Sequence, residues 1–195
     1  ANLATDNPPV RPPGSLPEPD FLQACIRCGE CYKVCPENVL QSQGFEQGFE
    51  GLWTPIVNAD WAGCDPSCNA CGQVCPTGAI RALPLAEKKS VRMGLAIVNE
   101  STCLPLAGRE ACQLCVDACD AAGYGAIGFT HLETDALGNP IPGTGYATPL
   151  VSSDKCVGCG LCQTACNGIN VGDKGLLRES AIIIEAGDGK EDRLL

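Results

Sequence analysis

The feature that most constrains this chain is a repeated spacing of cysteines. The first run, Cys25–Cys35, reads C-x2-C-x2-C-x3-C and is followed directly by Pro36. This spacing is typical of the loop that holds a [4Fe–4S] cluster in bacterial ferredoxins, where the fourth thiol binds a different cluster from the first three. A run of this kind therefore requires at least one partner run elsewhere in the chain.

Three further runs follow, and we number all four in chain order. Run two (Cys64–Cys75) has one extra residue between its first two cysteines, run three (Cys103–Cys119) has eight residues there, and run four (Cys156–Cys166) is regular. Four complete runs predict four [4Fe–4S] clusters, each held by four thiolates. The candidate iron ligands are Cys25, Cys28, Cys31, Cys35, Cys64, Cys68, Cys71, Cys75, Cys103, Cys112, Cys115, Cys119, Cys156, Cys159, Cys162 and Cys166.

Disulfides and zinc are the alternative uses of so many cysteines. An even number always allows disulfides, but three thiols within seven residues, as in run one, give poor disulfide geometry. Zinc sites usually pair two C-x2-C knuckles across a spacer. Three closely spaced thiols with a separate fourth suit the corners of a cubane cluster better, so iron–sulfur binding is the favoured interpretation.

Composition agrees with a core held together by cofactors. Aromatic residues make up only 5% of the 195 residues, so metal–thiolate bonds would have to supply part of the folding free energy. The formal net charge is −10, and no cluster of Lys and Arg opposes it. We therefore expect no nucleic-acid partner and a redox partner with a basic surface. No apolar run approaches the roughly eighteen residues of a transmembrane span.

The four runs divide the chain into a fourfold repeat of strand, cysteine loop, short helix and strand. Two repeats make one two-cluster module, so we expect an α+β fold of two ferredoxin-like modules with pseudo-twofold ββα repeats and long loops. The Pro-rich residues 1–24 predict an extended surface arm, with a disordered leader as the alternative. Residues 132–149, rich in Gly and Pro, predict a surface loop, and residues 187–195 predict a charged tail.

The chain shows no constellation of enzyme residues. It has a single histidine, His131, no phosphate-binding loop and no run that lacks a ligand. Fully ligated clusters transfer single electrons and do not bind substrate, so we expect an electron-transfer subunit and no catalytic residues. The alternative is a structural or assembly component of a larger respiratory complex.

Two further features lie close to the runs. Trp53 and Trp61 flank run two, and we expect them to shield a cluster. The densest basic group, Lys88, Lys89 and Arg92, is expected to be a solvated face of a helix.

The chain resembles the NapG/MauM-type polyferredoxins, which are four-cluster proteins of quinol-dehydrogenase and periplasmic nitrate-reductase systems. The resemblance is carried by Arg11-Pro-Pro-Gly14, by Phe21-Leu22, by Ala24–Gly29 and by the stretched run three. It implies a subunit that relays electrons between a membrane quinol dehydrogenase-type partner and a reductase or cytochrome. It also implies a periplasmic location peripheral to the membrane, with a cytoplasmic location as the alternative.

The resemblance further implies how the runs pair. Runs two and three would form one contiguous module (residues 64–131), and runs one and four would form the other (residues 25–63 with 150–186), as in related four-cluster subunits of molybdenum reductases. Each cluster would then bind three thiols of one run and the last thiol of its partner. This nested grouping joins Cys166 to the first three cysteines of run one, Cys35 to those of run four, Cys119 to those of run two and Cys75 to those of run three.

Overall fold

The computed structural model describes residues 8–45, 48–137 and 140–187, and its elements are short. The α-helices of this part of the chain are α1 (Glu18–Ala24), α2 (Glu30–Lys33), α3 (Ala70–Gln73), α4 (Leu85–Lys88), α5 (Leu114–Ala121) and α6 (Leu161–Cys166). A π-helix, Asn167–Asp173, continues directly from α6. The strands are β1 (Leu40–Ser42), β2 (Pro55–Val57), β3 (Leu95–Val98), β4 (Ile127–Thr134), β5 (Pro140–Val151) and β6 (Ile182–Glu185).

These strands form small two-stranded sheets. β1 pairs antiparallel with β2, with Leu40 opposite Val57, β4 pairs antiparallel with β5, and β3 is the neighbour of β6. The mixed α and β content agrees with the expected fold class. The pseudo-twofold ββα repeat within each module stays a prediction.

The chain divides into two compact units that differ from the predicted modules. The first contains the described residues of Ala1–Leu95, Val157–Gly160 and Ile184–Leu195, and the second contains Ala96–Cys156 and Leu161–Ile183. Runs one and two therefore lie in the same unit, so the predicted division into residues 25–63 with 150–186 and residues 64–131 is wrong. Elements that are consecutive in sequence usually pack together, because joining them closes shorter loops.

The proline-rich segment is part of the first unit and not an arm on its surface. The backbone N–H of Val57 donates to the carbonyl oxygen of Val10 (2.8 Å), and that of Leu16 donates to the carbonyl of Ala79 (3.0 Å). Residues 11–15 are buried. The backbone of residues 8–17 is free of helix, as predicted, but the segment is fixed by these hydrogen bonds. The predicted tail falls almost entirely outside the described residues.

Arg11 holds this segment from the inside. Its side chain is 1% exposed, and its guanidinium donates to the carboxylate of Glu18 (2.5 and 3.0 Å). It also donates to Thr54 Oγ1 (2.8 Å) and to the carbonyl oxygen of Pro55 (2.9 Å). The guanidinium carbon lies 4.7 Å from the ring centroid of Phe21. The buried charge is therefore paired and fully hydrogen-bonded, which is the condition under which a protein tolerates it.

The predicted surface loop at residues 132–149 is wrong, because most of this stretch belongs to the hairpin of β4 and β5. Phe129 lies opposite Pro149, and Leu132 lies opposite Pro142, with a register shift between His131 and Leu132. In a two-stranded sheet each strand is an edge strand, where proline is tolerated because an N–H that faces outward has no ladder partner to lose. The prolines that suggested a loop are therefore compatible with a strand.

Whether a proline follows the fourth cysteine decides where each helix ends. In runs one and two, Pro36 and Pro76 follow it, and the helices end at Lys33 and Gln73. A proline cannot continue a helix and disfavours helical backbone in the residue before it. In run three Asp120 stands at this position, and α5 continues past it to Ala121. In run four the helix continues as the π-helix.

A glycine in run two allows α3 to pack against the chain that follows it. A Cβ added at Gly72 would lie 2.3 Å from the carbonyl oxygen of Arg81. Replacing glycine by alanine inside a helix normally stabilises the helix by about 1 kcal/mol. Here we expect Gly72→Ala to destabilise the protein by about 1–3 kcal/mol, because the contact is with backbone that must move.

Anaerobic thermal denaturation, followed by loss of cluster absorbance, measures this effect. The matched control is Gly128→Ala, since an added Cβ there meets nothing within 4 Å. An equal melting temperature for the two variants would contradict the close packing at Gly72.

Candidate iron–sulfur sites

Each run places its third cysteine at the same point of its local structure. Cys31, Cys71, Cys115 and Cys162 are each the second residue of a helix, in α2, α3, α5 and α6 respectively. The fourth cysteine follows four residues later, about one helical turn further along. The helix therefore separates the fourth thiol from the loop that carries the other three, which suits a fourth thiol that binds a different cluster.

The first site lies in the first unit and joins run one to the end of run two. Cys25, Cys28 and Cys31 line one cavity together with Cys75. This cavity has a volume of about 370 Å³ including its mouth, and its wall also contains Ile26 and Ile80. Of the sixteen cysteines, Cys28 alone is exposed, so this site can be reached from solvent at Cys28.

The second site completes the exchange between the same two runs. Cys64, Cys68 and Cys71 line a cavity of about 340 Å³ together with Cys35. Pro13 of the proline-rich segment forms part of the same wall. Each of the two runs thus gives its fourth thiol to the other, which is the reciprocal arrangement of a two-cluster ferredoxin.

The third site lies in the second unit and joins run three to the end of run four. Cys103, Cys112 and Cys115 line a cavity of about 360 Å³ together with Cys166. The eight-residue excursion of run three does not remove Cys103 from this group. Its backbone turns back through hydrogen bonds such as Ala107 N–H to the carbonyl of Cys103 (2.8 Å).

These three groups show that the predicted nested pairing is wrong. Cys75 joins run one and not run three, Cys166 joins run three and not run one, and Cys35 joins run two and not run four. Runs one and two exchange their fourth thiols, and run four gives its fourth thiol to run three. The nested pairing came from a resemblance, and nothing in the cysteine spacing itself favoured it.

The remaining four cysteines are all buried: Cys119, Cys156, Cys159 and Cys162. Two of their sulfurs accept hydrogen bonds from backbone N–H groups within the second unit. Ala126 donates to Cys119 Sγ (3.2 Å), and Ala96 donates to Cys156 Sγ (3.5 Å). Backbone donors of this kind stabilise thiolates. The predicted grouping of Cys119 with run two has no counterpart, since run two takes Cys35.

The thiols resist ionisation while no positive charge lies among them. Burial, and then the neighbouring thiols Cys25 and Cys28, raise the pKa of Cys31 to about 11. Burial followed by like charge from neighbouring thiols raises the pKa of Cys71 and of Cys115 to about 12. For Cys75 burial is outweighed by hydrogen bonds from Ile80 and Thr77, which lower its pKa.

Such groups suit a cofactor that carries positive iron into the cavity. Four thiolates around one cavity are mutually repulsive until cationic iron lies among them, and iron binding would then release protons. All sixteen cysteines are free. The donor set therefore fits [4Fe–4S] clusters at the three cavities.

Two buried polar side chains near the thiols were not anticipated. Lys88 is 2% exposed, so the expectation of a solvated basic face is wrong for this residue. Asn170 is also 2% exposed, and its Nδ2 lies 3.7 Å from Cys112 Sγ and 3.6 Å from Cys166 Sγ. No signal in the sequence distinguishes Asn170, since it lies beyond the last cysteine in a stretch without a motif.

The two tryptophans are not shields. Trp53 and Trp61 are 63% and 66% exposed, so the expectation that they cover a cluster is wrong. Trp53 adopts a left-handed backbone conformation (φ 63°), which is rare for a bulky residue. Its carbonyl oxygen accepts a hydrogen bond from the hydroxyl of Tyr32 (2.8 Å), so the segment that carries it is fixed to run one.

Within the described ranges, no helix combines the length and the apolar character that a membrane crossing needs.

Fold and cavities together define an iron–sulfur protein of the ferredoxin type. The sequence profile of the 4Fe-4S dicluster domain matches residues 24–79, which contain runs one and two. That of a 4Fe-4S binding domain matches residues 153–171, which contain run four. The first match agrees with the pairing of runs one and two found in the structure.

Similar sequences identify the family within this class. The chain is 38% identical over 161 residues to the methylamine utilization ferredoxin-type protein MauM of Methylorubrum extorquens, covering 80% of this chain and 67% of that protein. It is 35% identical over 163 residues to MauM of Methylophilus methylotrophus, covering 80% and 66%. It is 32% identical over 160 residues to the ferredoxin-type protein NapG of Escherichia coli, covering 80% and 65%.

The chain therefore belongs to the MauM/NapG family of ferredoxin-type iron–sulfur proteins. It spans about two thirds of the length of these relatives. Electron transfer through iron–sulfur groups is the shared character of the family, and the resemblance inferred from the sequence is confirmed.

Proposed function

We propose that the sixteen cysteines hold four [4Fe–4S] clusters and that the protein relays single electrons between two redox partners. The observation that carries this proposal is the reciprocal exchange of thiols in the first unit. Runs one and two each contribute three cysteines to one cavity and the fourth to the other. This arrangement is the one that places two clusters side by side in a ferredoxin.

The ligand sets of three clusters follow from the cavities. Cluster one would be held by Cys25, Cys28, Cys31 and Cys75, cluster two by Cys64, Cys68, Cys71 and Cys35, and cluster three by Cys103, Cys112, Cys115 and Cys166. By the same reciprocity, run four would hold cluster four with Cys156, Cys159, Cys162 and the fourth thiol of run three, Cys119.

When bound, the clusters would supply the one-electron redox chemistry, and the chain controls how they do so. The cysteines fix their positions, apolar side chains such as Ile80 exclude water from the cavities, and N–H groups donate to the ligand sulfurs. Because these factors set the reduction potential, the different surroundings of the four sites support different potentials along the relay.

The surface around run one is where we place electron exchange with a partner. Cys28 is exposed, and Ile26 beside it is 62% exposed. The exposed Trp53 is held to the same run by Tyr32. Exposed tryptophan is over-represented among the residues that contribute most to protein–protein binding.

The partners we propose are a membrane quinol dehydrogenase-type protein as donor and a reductase or cytochrome as acceptor. The net charge of −10 favours partners with basic docking surfaces. We place the protein in the periplasm, peripheral to the membrane, with a cytoplasmic location as the alternative. These assignments follow from what the resemblance to the NapG/MauM-type polyferredoxins implies.

Anaerobic copurification from gently solubilised membranes, followed by stopped-flow reduction, tests this function. We expect a quinone-binding partner to copurify, and its reduced form to reduce the iron–sulfur clusters within one turnover of the complex. The clusters of a Trp53→Ala variant should be reduced more slowly than those of the wild type. Trp61→Ala, which removes another exposed tryptophan, is the control and should be reduced at the wild-type rate.

A second candidate function is a structural or assembly role within a respiratory complex. It would be favoured if the copurified partner were reduced while the clusters stayed oxidised over many turnovers. Rapid reduction of the clusters would exclude it.

A further inference from the structure

Lys88 is a buried cation beside the second site, and nothing in the relay described so far uses it. It is the last residue of α4, and its side chain is 2% exposed. Its ammonium donates to the carbonyl oxygen of Asp65, which follows the ligand Cys64 directly. Cys64 and Asp65 both line the second site, so the acceptor of this ammonium lies in the wall of the cluster cavity.

In the part of the chain that the structure describes, no carboxylate lies within ion-pair distance of this cation, in contrast to pairs such as Arg11 with Glu18 and Arg81 with Glu87. The nearest recorded negative charge is the Asp65 carboxylate, whose pKa is lowered by hydrogen bonds from Ser67 and by the charge of Lys88. A buried ammonium is costly unless a negative charge compensates it. The second site would supply that charge, because four thiolates around an oxidised cubane core carry roughly −2 in total.

We propose that Lys88 is the internal counter-charge of cluster two and holds its reduction potential above the value that the four thiolates alone would give. Adding an electron makes the cluster more negative, so a fixed positive charge at its ligand stabilises the reduced form more than the oxidised form. This inference rests on the proposed cluster and adds a control of its potential.

The neighbouring lysine makes a matched comparison possible. Lys89 is the next residue, but it is exposed. Lys88→Gln removes the charge while keeping an N–H donor for the Asp65 carbonyl, and Lys89→Gln makes the same change in solvent. Lys88→Arg keeps the positive charge. Comparing Lys88→Gln with Lys89→Gln therefore separates the effect of a buried charge from the effect of net charge. Comparing Lys88→Gln with Lys88→Arg separates the effect of the charge from the effect of side-chain packing.

The experiment is an anaerobic redox titration of the intact protein with a chemical reductant, followed by electron paramagnetic resonance. In Lys88→Gln we expect one of the four reduction steps to move to lower potential, with an unchanged iron content. We expect Lys88→Arg to stay close to the wild type and Lys89→Gln to leave all steps in place. In a Cys35→Ala background, which alters the same cluster, the shift caused by Lys88→Gln should disappear.

Unchanged potentials in a fully loaded Lys88→Gln variant would overturn the proposal, and so would equal shifts in Lys88→Gln and Lys89→Gln. The titration needs no physiological partner. A protein that binds its clusters but accepts no electrons from a quinol-linked donor would contradict the proposed relay and leave this inference intact.

A separate observation in the second unit points to similar control at the third site. Asn170 lies on the π-helix, a rare form that is frequent at functional sites. Its backbone carbonyl accepts hydrogen bonds from Leu176 (2.8 Å) and Leu177 (3.0 Å), which fixes the residue. Its amide nitrogen faces the sulfurs of Cys112 and Cys166, although its Oδ1 is buried without a protein partner among the described residues.

We infer that Asn170 donates N–H groups to two ligands of cluster three and so raises the potential of that cluster. Asn170→Leu removes the donors at similar volume, and Asn170→Asp replaces them with a carboxylate. Both variants should move one reduction step to lower potential, and the aspartate should move it further. If the clusters keep the wild-type potentials in both variants, Asn170 has only a structural role and the inference is wrong.

Discussion

Removing Cys75 and Cys28 together should alter one cluster, whereas removing Cys75 and Cys112 together should alter two. Cys75 shares a cavity with Cys25, Cys28 and Cys31, so replacing either Cys28 or Cys75 by alanine disturbs the same cluster. Cys112 belongs to a different cavity. A nested pairing of the runs would give the opposite result, with two altered clusters in the first double variant and one in the second.

Mössbauer spectroscopy of protein grown on iron-57 measures the number of altered clusters. A cluster that loses one ligand either loses iron or gains a distinct signal, and either change is counted. The corresponding pair in the second unit is Cys112 with Cys166, which should also alter a single cluster. This experiment has the largest effect of those considered, because each outcome differs by an entire cluster.

Replacing Arg11 by methionine should destabilise the protein by about 3–5 kcal/mol, the range found when one partner of a buried ion pair is removed. The guanidinium satisfies Glu18, Thr54 and the carbonyl of Pro55 at once. The proline-rich segment would lose its internal anchor. Arg11→Lys should recover little of this loss, since an ammonium lacks the planar fork that reaches all three groups.

The matched control is Lys33→Met, because Lys33 pairs with Glu30 in an ion pair whose side chains are 69% and 46% exposed. Exposed pairs contribute about 0–1 kcal/mol, so this variant should resemble the wild type. Anaerobic urea denaturation, followed by cluster absorbance, compares the midpoints. Similar midpoints for the two variants would mean that the proline-rich segment is not held by Arg11.

The cysteine spacing predicted the chemical character of the sites well. It identified the four runs, the sixteen candidate ligands and the short helix that accompanies each cysteine loop. These features are local, since three or four residues decide whether a helical turn fits between Cys31 and Cys35.

The pairing of the runs could not be obtained in the same way. Any run can in principle give its fourth thiol to any other, because the cysteine spacing is the same whichever partner receives it. The choice depends on which loops lie beside each other after folding, as Cys75 does beside run one. The position of that loop is fixed by backbone hydrogen bonds such as the one from Leu16 N–H to the carbonyl of Ala79. Backbone hydrogen bonds do not depend on a recognisable sequence motif.

The burial of two charged side chains was also not predicted from the sequence. Lys88 lies among basic residues and was expected in solvent, but the turn at Pro84 places it under Asp65, next to the second site. Arg11 lies in a stretch whose prolines predict an extended segment, and the same prolines hold that segment in the shape that buries the guanidinium. In both cases the buried charged group donates to a specific acceptor, the Glu18 carboxylate for Arg11 and the Asp65 carbonyl oxygen for Lys88.

The central claim is that this chain holds four [4Fe–4S] clusters, and a count of iron and acid-labile sulfide per chain tests it most directly. The protein should be purified anaerobically and its concentration determined by amino-acid analysis, with Mössbauer spectra recorded on the same sample. We expect about sixteen iron and sixteen sulfide atoms per chain, all of the iron in cubane clusters. A count near eight, or iron bound without sulfide, would contradict the account.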